Sequence, residues 1–186
     1  ADKIKNLDES HFLDLKSKEI RPAKLTETIS AFANASAGEI YVGIEENDIL
    51  TLKDRQWNGF SDIEEANGII QAIESLSPLG NHYKAVFYRA DGEQGLVLHL
   101  TIYKTNKVLY ASNKKAYIRR GAQKLPVASP AALKRLEYDK GITTFEDDPI
   151  DIPEDYITNS VVTLEFMMDV VPMSEPGPWL RNQFVL

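Results

Sequence analysis

The 186-residue chain contains no cysteine, which excludes disulfide scaffolds, thiolate metal sites and cysteine nucleophiles. Long apolar runs are missing as well. Nothing approaches the roughly 20 residues that a membrane helix needs, and the first ten residues, ADKIKNLDES, are too polar for a signal peptide. The expectation is a cytoplasmic protein with no membrane partner. The chain has no GxxxxGK[ST] loop, no GxGxxG after a strand, no HExxH and no serine elbow, so it offers no engine for nucleotide hydrolysis and no familiar hydrolase centre. Its three histidines, His11, His82 and His99, are scattered and match no ligand spacing.

What is present is the composition of a folded domain. Hydrophobic residues make up 43% and charged residues 26%, and the length suits one domain, alone or with a partial neighbour. The net charge of −7 argues at face value against a nucleic-acid partner. Its distribution argues otherwise. Residues 1–80 hold 8 basic and 15 acidic side chains, residues 81–140 hold 12 and 4, and residues 141–186 hold 1 and 9. A cationic block therefore lies between two anionic ones. Its densest part is Lys114, Lys115, Arg119 and Arg120, with Lys104, Lys107 and Lys124 close by. Such a block is either a solvated surface or a phosphate-binding face.

The hydrophobic pattern predicts a strand over His11 to Lys16 and a helix from Pro22 to Asn34, where Leu25, Ile29 and Phe32 recur at helical spacing. Asn34 to Gly38 supplies small residues that end the helix. Ile40, Val42 and Ile44 then alternate as a half-buried strand, and Glu46-Asn47-Asp48 reads as a turn. A second helix is expected over residues 61–76, capped by Ser61 or Asp62 and weakened by Gly68. Strands follow over Lys84 to Arg89, Gly95 to Tyr103 and Ala116 to Arg119. Ser129 and Pro130 open a helix that runs to Tyr138. The order implies an α+β fold, a mixed sheet with flanking helices.

Residues 1–140 are expected to form this domain. Beyond Gly141 the texture changes, with five of the nine prolines and all three methionines. Ser160 to Val171 reads equally as helix or strand, and the apolar Trp179, Leu180, Phe184, Val185 and Leu186 point to a segment that leads into a larger protein.

Among the acids, Glu9 and Asp14 flank the first strand, Lys16 shares a strand face with Asp14, and Glu45 ends the second strand. If these strands are neighbours, three carboxylates and a lysine converge, a set that can hold a divalent cation. Glu9 has the opposite parity to Asp14, so it joins only if the chain bends between them. In the basic block, Arg119 is expected to share a face with Tyr117, giving a phosphate contact beside an aromatic ring.

Three stretches in order, Glu9 to Lys16, Ile29 to Glu45 with its Ala31-Phe-Ala-Asn34 run, and Ala116 to Gly121 with Tyr117-Ile-Arg119-x-Gly121, resemble the Schlafen-type AlbA-like domain. The resemblance covers roughly residues 7–140. It implies a nucleic-acid-binding α/β module, DNA-binding or RNA-binding, often at the front of bacterial transcriptional regulators or RecG-related proteins. It also implies an alternative, since paired domains of this kind in vertebrate Schlafen proteins cut transfer and ribosomal RNA with three carboxylates. Carried over, these are Glu9, Asp14 and Glu45, with Lys16 beside them and Mg²⁺ or Mn²⁺ as cofactor. The second acid is Asp where that family usually has Glu, and the third is Glu where it usually has Asp. The leading expectation is nucleic-acid binding through Lys104, Lys107, Lys114, Lys115, Tyr117, Arg119, Arg120 and Lys124. The others are a metal-dependent endoribonuclease and an interaction module that pairs the acidic tail with a partner or forms a homodimer.

Overall fold

The computed structural model describes residues 1–49, 52–144, 146 and 151–183. The chain divides into two compact units, Ala1–Thr144 and Phe145–Leu186. In the first, a short helix α1 (Asp2–Lys5) precedes strand β1 (Leu13–Lys16), helix α2 (Pro22–Asn34) and strand β2 (Gly38–Val42). Strands β3 (Ile44–Ile49) and β4 (Leu52–Trp57) form a hairpin, followed by a 3₁₀ turn (Glu64–Ala66) and helix α3 (Asn67–Glu74). Strands β5 (Tyr83–Tyr88) and β6 (Val97–Ile102) come next. A second hairpin, β7 (Tyr117–Arg120) and β8 (Gln123–Pro126), leads to helix α4 (Pro130–Asp139).

One mixed sheet organises this unit, in the order β1-β2-β6-β5. β1 and β2 are parallel, and the other neighbours are antiparallel. A parallel pair needs a crossover, and α2 is that crossover. Strand alternation divides the sheet into two faces. Ile40, Val42, Leu98, Leu100 and Ile102 face α2 and α3 in the main core with Leu25, Ile29, Phe32, Ile69 and Ile73. Leu15, Tyr41 and Val97 face the other way and pack with Ile44 and Trp57 of the first hairpin.

The α2 prediction matches the element, and Ser129 caps α4 by accepting a hydrogen bond from the Ala132 amide at 3.1 Å. Three readings change. Gly43, at φ +112°, ends β2 and turns the chain, so Ile44 lies in the second core rather than on the face of Ile40 and Val42. Glu46-Asn47-Asp48 is not a turn but part of β3, paired with β4. The expected helix over 61–76 is split. Glu65 accepts from the Ser61 amide and hydroxyl while Asp62 accepts from the Glu65 amide, which caps the 3₁₀ turn before α3.

Helix α2 is buried on every side, from Leu25 through Asn34. Ala33 belongs to the sheet-facing core, whereas Ala31 packs on Ala111 and Tyr117 on the opposite side. Its buried polar residues hold the segment that leads into β7. Asn34 Nδ2 donates to the carbonyls of Leu109 at 2.8 Å and Tyr117 at 3.0 Å, and its Oδ1 accepts from the Leu109 amide at 2.8 Å. Ser30 Oγ donates to the Leu109 carbonyl and accepts from the Tyr117 amide.

The second unit contains α5 (Glu154–Thr158), α6 (Val161–Val170) and α7 (Pro176–Asn182). Ser160 Oγ accepts from the Thr163 amide and caps α6, so residues 161–170 of this stretch are helix rather than strand. Phe166 and Trp179 stack obliquely at 5.6 Å, and Met167 and Leu180 are buried. Phe184, Val185 and Leu186 lie outside the described residues. Among those described, no helix is long and apolar enough to cross a membrane.

A Cβ added at Gly38 would lie 2.2 Å from the Phe32 ring, which is fully buried. Gly38→Ala is expected to lower stability in denaturant unfolding by about 1–3 kcal/mol through overpacking. Gly68→Ala, inside α3 with only Pro22 Cγ nearby at 3.8 Å, is expected to raise it by about 0.5–1 kcal/mol.

Candidate functional site

The chain bends after Ser10, whose amide donates to the Leu13 carbonyl at 2.9 Å. That bend brings Glu9 back along the free edge of β1, where Glu9 Oε1 accepts from the Leu15 amide at 3.1 Å. Glu9, Asp14 and Lys16 therefore meet despite their strand parity. Lys16 Nζ lies 3.5 Å from Glu9 Oε1 and 2.7 Å from Asp14 Oδ2, the latter an ion pair without hydrogen-bond alignment. From the other side Arg119 Nη2 lies 3.0 Å from Asp14 Oδ1 and also donates to the carbonyls of Ser10 and Leu13. The guanidinium stacks 4.7 Å from the centre of the Phe32 ring.

Asp14 is 2% exposed and Arg119 3%, so this is a buried ion pair that ties β7 to the edge of the sheet. Burial lifts the Asp14 carboxyl above its usual range, with Lys16 and Arg119 acting against the lift and the Glu9 charge adding to it. In Glu9 burial acts upward too. There the Leu15 amide and Lys16 overcome it and hold the carboxyl below its usual range.

Glu45 stands apart, accepting a hydrogen bond from Ser17 Oγ at 3.1 Å. The donor set implied by the family resemblance does not fit a divalent cation in this arrangement. Both Asp14 oxygens face cations, and one oxygen each of Glu9 and Glu45 is taken by a protein donor. Among the described residues no three His, Asp or Glu side chains are arranged to hold a metal ion.

The basic block separates into an inner and an outer set. Arg119 and Tyr117 do share a face, but it is the buried one. Tyr117 is packed on Ala31 and Ala111, and its hydroxyl accepts from Asn113 Nδ2 at 2.9 Å. Neither side chain is the surface contact expected from the sequence. Lys124 is held 2.9 Å from Glu27 Oε2, which Lys24 approaches at 2.8 Å. Lys104 Nζ donates to the Asp139 carbonyl. Lys107, Lys114, Lys115 and Arg120 are exposed, and among the described residues no ion pair or hydrogen bond occupies their side chains. Lys114 and Lys115 lie in the turn before β7, and Arg120 at its end. A four-residue strand spans about 13 Å.

Lys140 escaped the sequence reading. Its ammonium donates to the carbonyls of Ala33 and Thr105 at 3.0 and 2.7 Å, which closes the C-terminal end of α2. Burial, with Lys104 nearby, lowers its pKa to about 8. No local pattern marks it, because its partners lie far away in the chain.

The chain matches the family described as Schlafen, AlbA_2 over residues 9–128, and it belongs to that family. Among solved structures, it resembles the N-terminal domain of a RecG-related protein from Nitrosomonas europaea, with 18% identity and a TM-score of 0.51 over 64% of this chain and 84% of that one. It also resembles the DIP2311 protein from Corynebacterium diphtheriae, with 17% identity and a TM-score of 0.49. There 96% of this chain is covered, and the chain spans 39% of the length of that protein. No curated protein shows significant similarity to the chain.

Removing either partner of the Asp14–Arg119 pair leaves a buried charge. Arg119→Met and Asp14→Leu are each expected to cost about 3–5 kcal/mol in chemical denaturation, and the double variant less than their sum. Additive losses would contradict the pairing. Glu27 gives a pH signature. Burial tends to raise its pKa, but the hydrogen bonds from Lys24 and Lys124 outweigh that and hold the carboxyl below its usual range. The resulting stability is present above the unfolded-state pKa and is lost as pH falls through the lower folded-state value. Glu27→Gln is therefore expected to lose less stability than the parent between about pH 5 and pH 3, measured by thermal unfolding.

Proposed function

We propose that this Schlafen AlbA_2 domain binds nucleic acid through the exposed cations around β7. One observation carries the reading. In a chain of net charge −7, Lys107, Lys114, Lys115 and Arg120 point to solvent without a carboxylate partner among the described residues. Cations that have no internal task and lie within one short stretch suit a row of phosphates, which presents one charge per about 3.4 Å of duplex strand. Membership of the family supports the same reading. The buried Arg119 and Tyr117 act differently in it, holding the strand that displays the outer residues.

The test is a salt titration of binding to single- and double-stranded DNA and RNA. Affinity is expected to fall linearly on a log–log plot, and Lys115→Ala and Arg120→Ala are each expected to reduce the slope by about 0.7–0.9. Absence of binding to all four ligands at low salt would overturn the proposal.

A further inference from the structure

Between the end of α3 and the turn before β7 lies a recess of about 640 Å³, lined by Ser75, Leu76, Ser77, Tyr110, Ser112 and Lys114 together with Ala111. That volume is in the range of sites that take small ligands. Its walls combine an aromatic ring, an ammonium group and hydroxyls over an apolar floor, since Leu76 is buried.

Tyr110 is 41% exposed although both its neighbours, Leu109 and Ala111, are buried. Its backbone is bridged to Ala116, and the Leu109 backbone before it is bonded by Asn34 and Ser30 on both its amide and its carbonyl. The ring is therefore carried on a rigid support while its surface remains open. Packing alone gives no reason for an aromatic residue there. Lys114 is also unusual. It adopts φ +62°, which glycine reaches without strain and a lysine does not. The turn that imposes this conformation is closed by bonds from the Lys114 amide to the Ala111 carbonyl and from the Ala111 amide to the Lys115 carbonyl. Ser75 Oγ donates to the Ala72 carbonyl. Among the described residues the hydroxyls of Ser77 and Ser112 have no protein partner.

We propose that this recess takes one unpaired nucleotide of a single-stranded nucleic acid, with the base stacked on Tyr110, a phosphate at the Lys114 ammonium and polar edges on Ser77 and Ser112. The inference rests on the nucleic-acid reading above and narrows it. A base inside a duplex has both faces covered by its neighbours and cannot stack on a side chain, whereas an unpaired base can. Lys114 lines the recess and Lys115 follows it directly in the chain, so a strand seated in the recess continues onto the outer cations.

The experiment measures fluorescence anisotropy of the 186-residue chain with a labelled single strand and with a duplex of the same sequence. Tyr110→Ala is expected to weaken single-strand binding about 5- to 100-fold, with the salt slope and duplex binding unchanged, and Tyr110→Phe to retain the affinity. Lys114→Gly is expected to lower the single-strand salt slope by about 0.7 while its melting temperature stays level or rises, because glycine relieves the turn. Single-strand binding that survives Tyr110→Ala, or a chain that binds only duplex, would overturn this inference and leave the broader reading standing. Binding to neither ligand at low salt would overturn both.

Discussion

The burial of α2 on every side from Leu25 through Asn34 is the constraint from which the rest of the first unit follows. A helix covered on one face can leave its polar residues to water; one covered on all faces must bond them internally, and an unmet buried donor or acceptor costs about 1–3 kcal/mol. Ser30 and Asn34 meet that demand by bonding the backbone of Leu109 and Tyr117, whereas the buried Thr28 hydroxyl has no hydrogen-bond partner. The same bonds position β7. Once β7 is in place, Arg119 falls above Phe32 and reaches Asp14 on the edge strand. Packing of the helix, the position of the hairpin and neutralisation of the buried carboxylate thus form one linked arrangement.

Elements with strong local signals were legible in the sequence. α2 begins at Pro22 and ends at Asn34, with its apolar residues at helical spacing, and α4 carries its own serine cap. The hairpin of β3 and β4 was hidden, because Glu46-Asn47-Asp48 and the polar β4 sequence Leu52-Lys-Asp-Arg-Gln-Trp57 have the composition of loops. Its stability comes from tertiary contacts: Ile44 and Trp57 pack into the second core, and Arg55 pairs with Glu46 at 2.7 Å. The small residues after α2 end it for a different reason at each position. Ala37 takes the left-handed backbone at φ +69°, and Gly38 supplies room for Phe32 rather than a positive φ.

The candidate site was legible in its residue types and less so in their roles. Charge counting cannot distinguish a cation that faces solvent from one that neutralises an interior acid. Arg119 is matched by Asp14, Lys124 by Glu27 and Lys140 by carbonyl groups, all far away in sequence. The cationic excess of residues 81–140 therefore overstates the charge available to a ligand. What matters at the surface, where exposed charges act over about 8–10 Å at ordinary ionic strength, is the subset with no internal partner.

The two most recognisable stretches of the family resemblance turn out to meet each other. Ala31 packs on Tyr117, Phe32 lies beneath the Arg119 guanidinium and Asn34 bonds the Tyr117 carbonyl. Each half of this contact is meaningless without the other, which explains why an Ala-Phe-Ala-Asn run and a Tyr-Ile-Arg-x-Gly run occur together in one chain. It also separates two roles that sequence alone merges. The motif residues build the support, and among the residues between and beside them Lys107, Tyr110, Lys114, Lys115 and Arg120 are those it presents to solvent. The side chains of these presented residues take no part in the helix-to-hairpin contact, so the support does not depend on them.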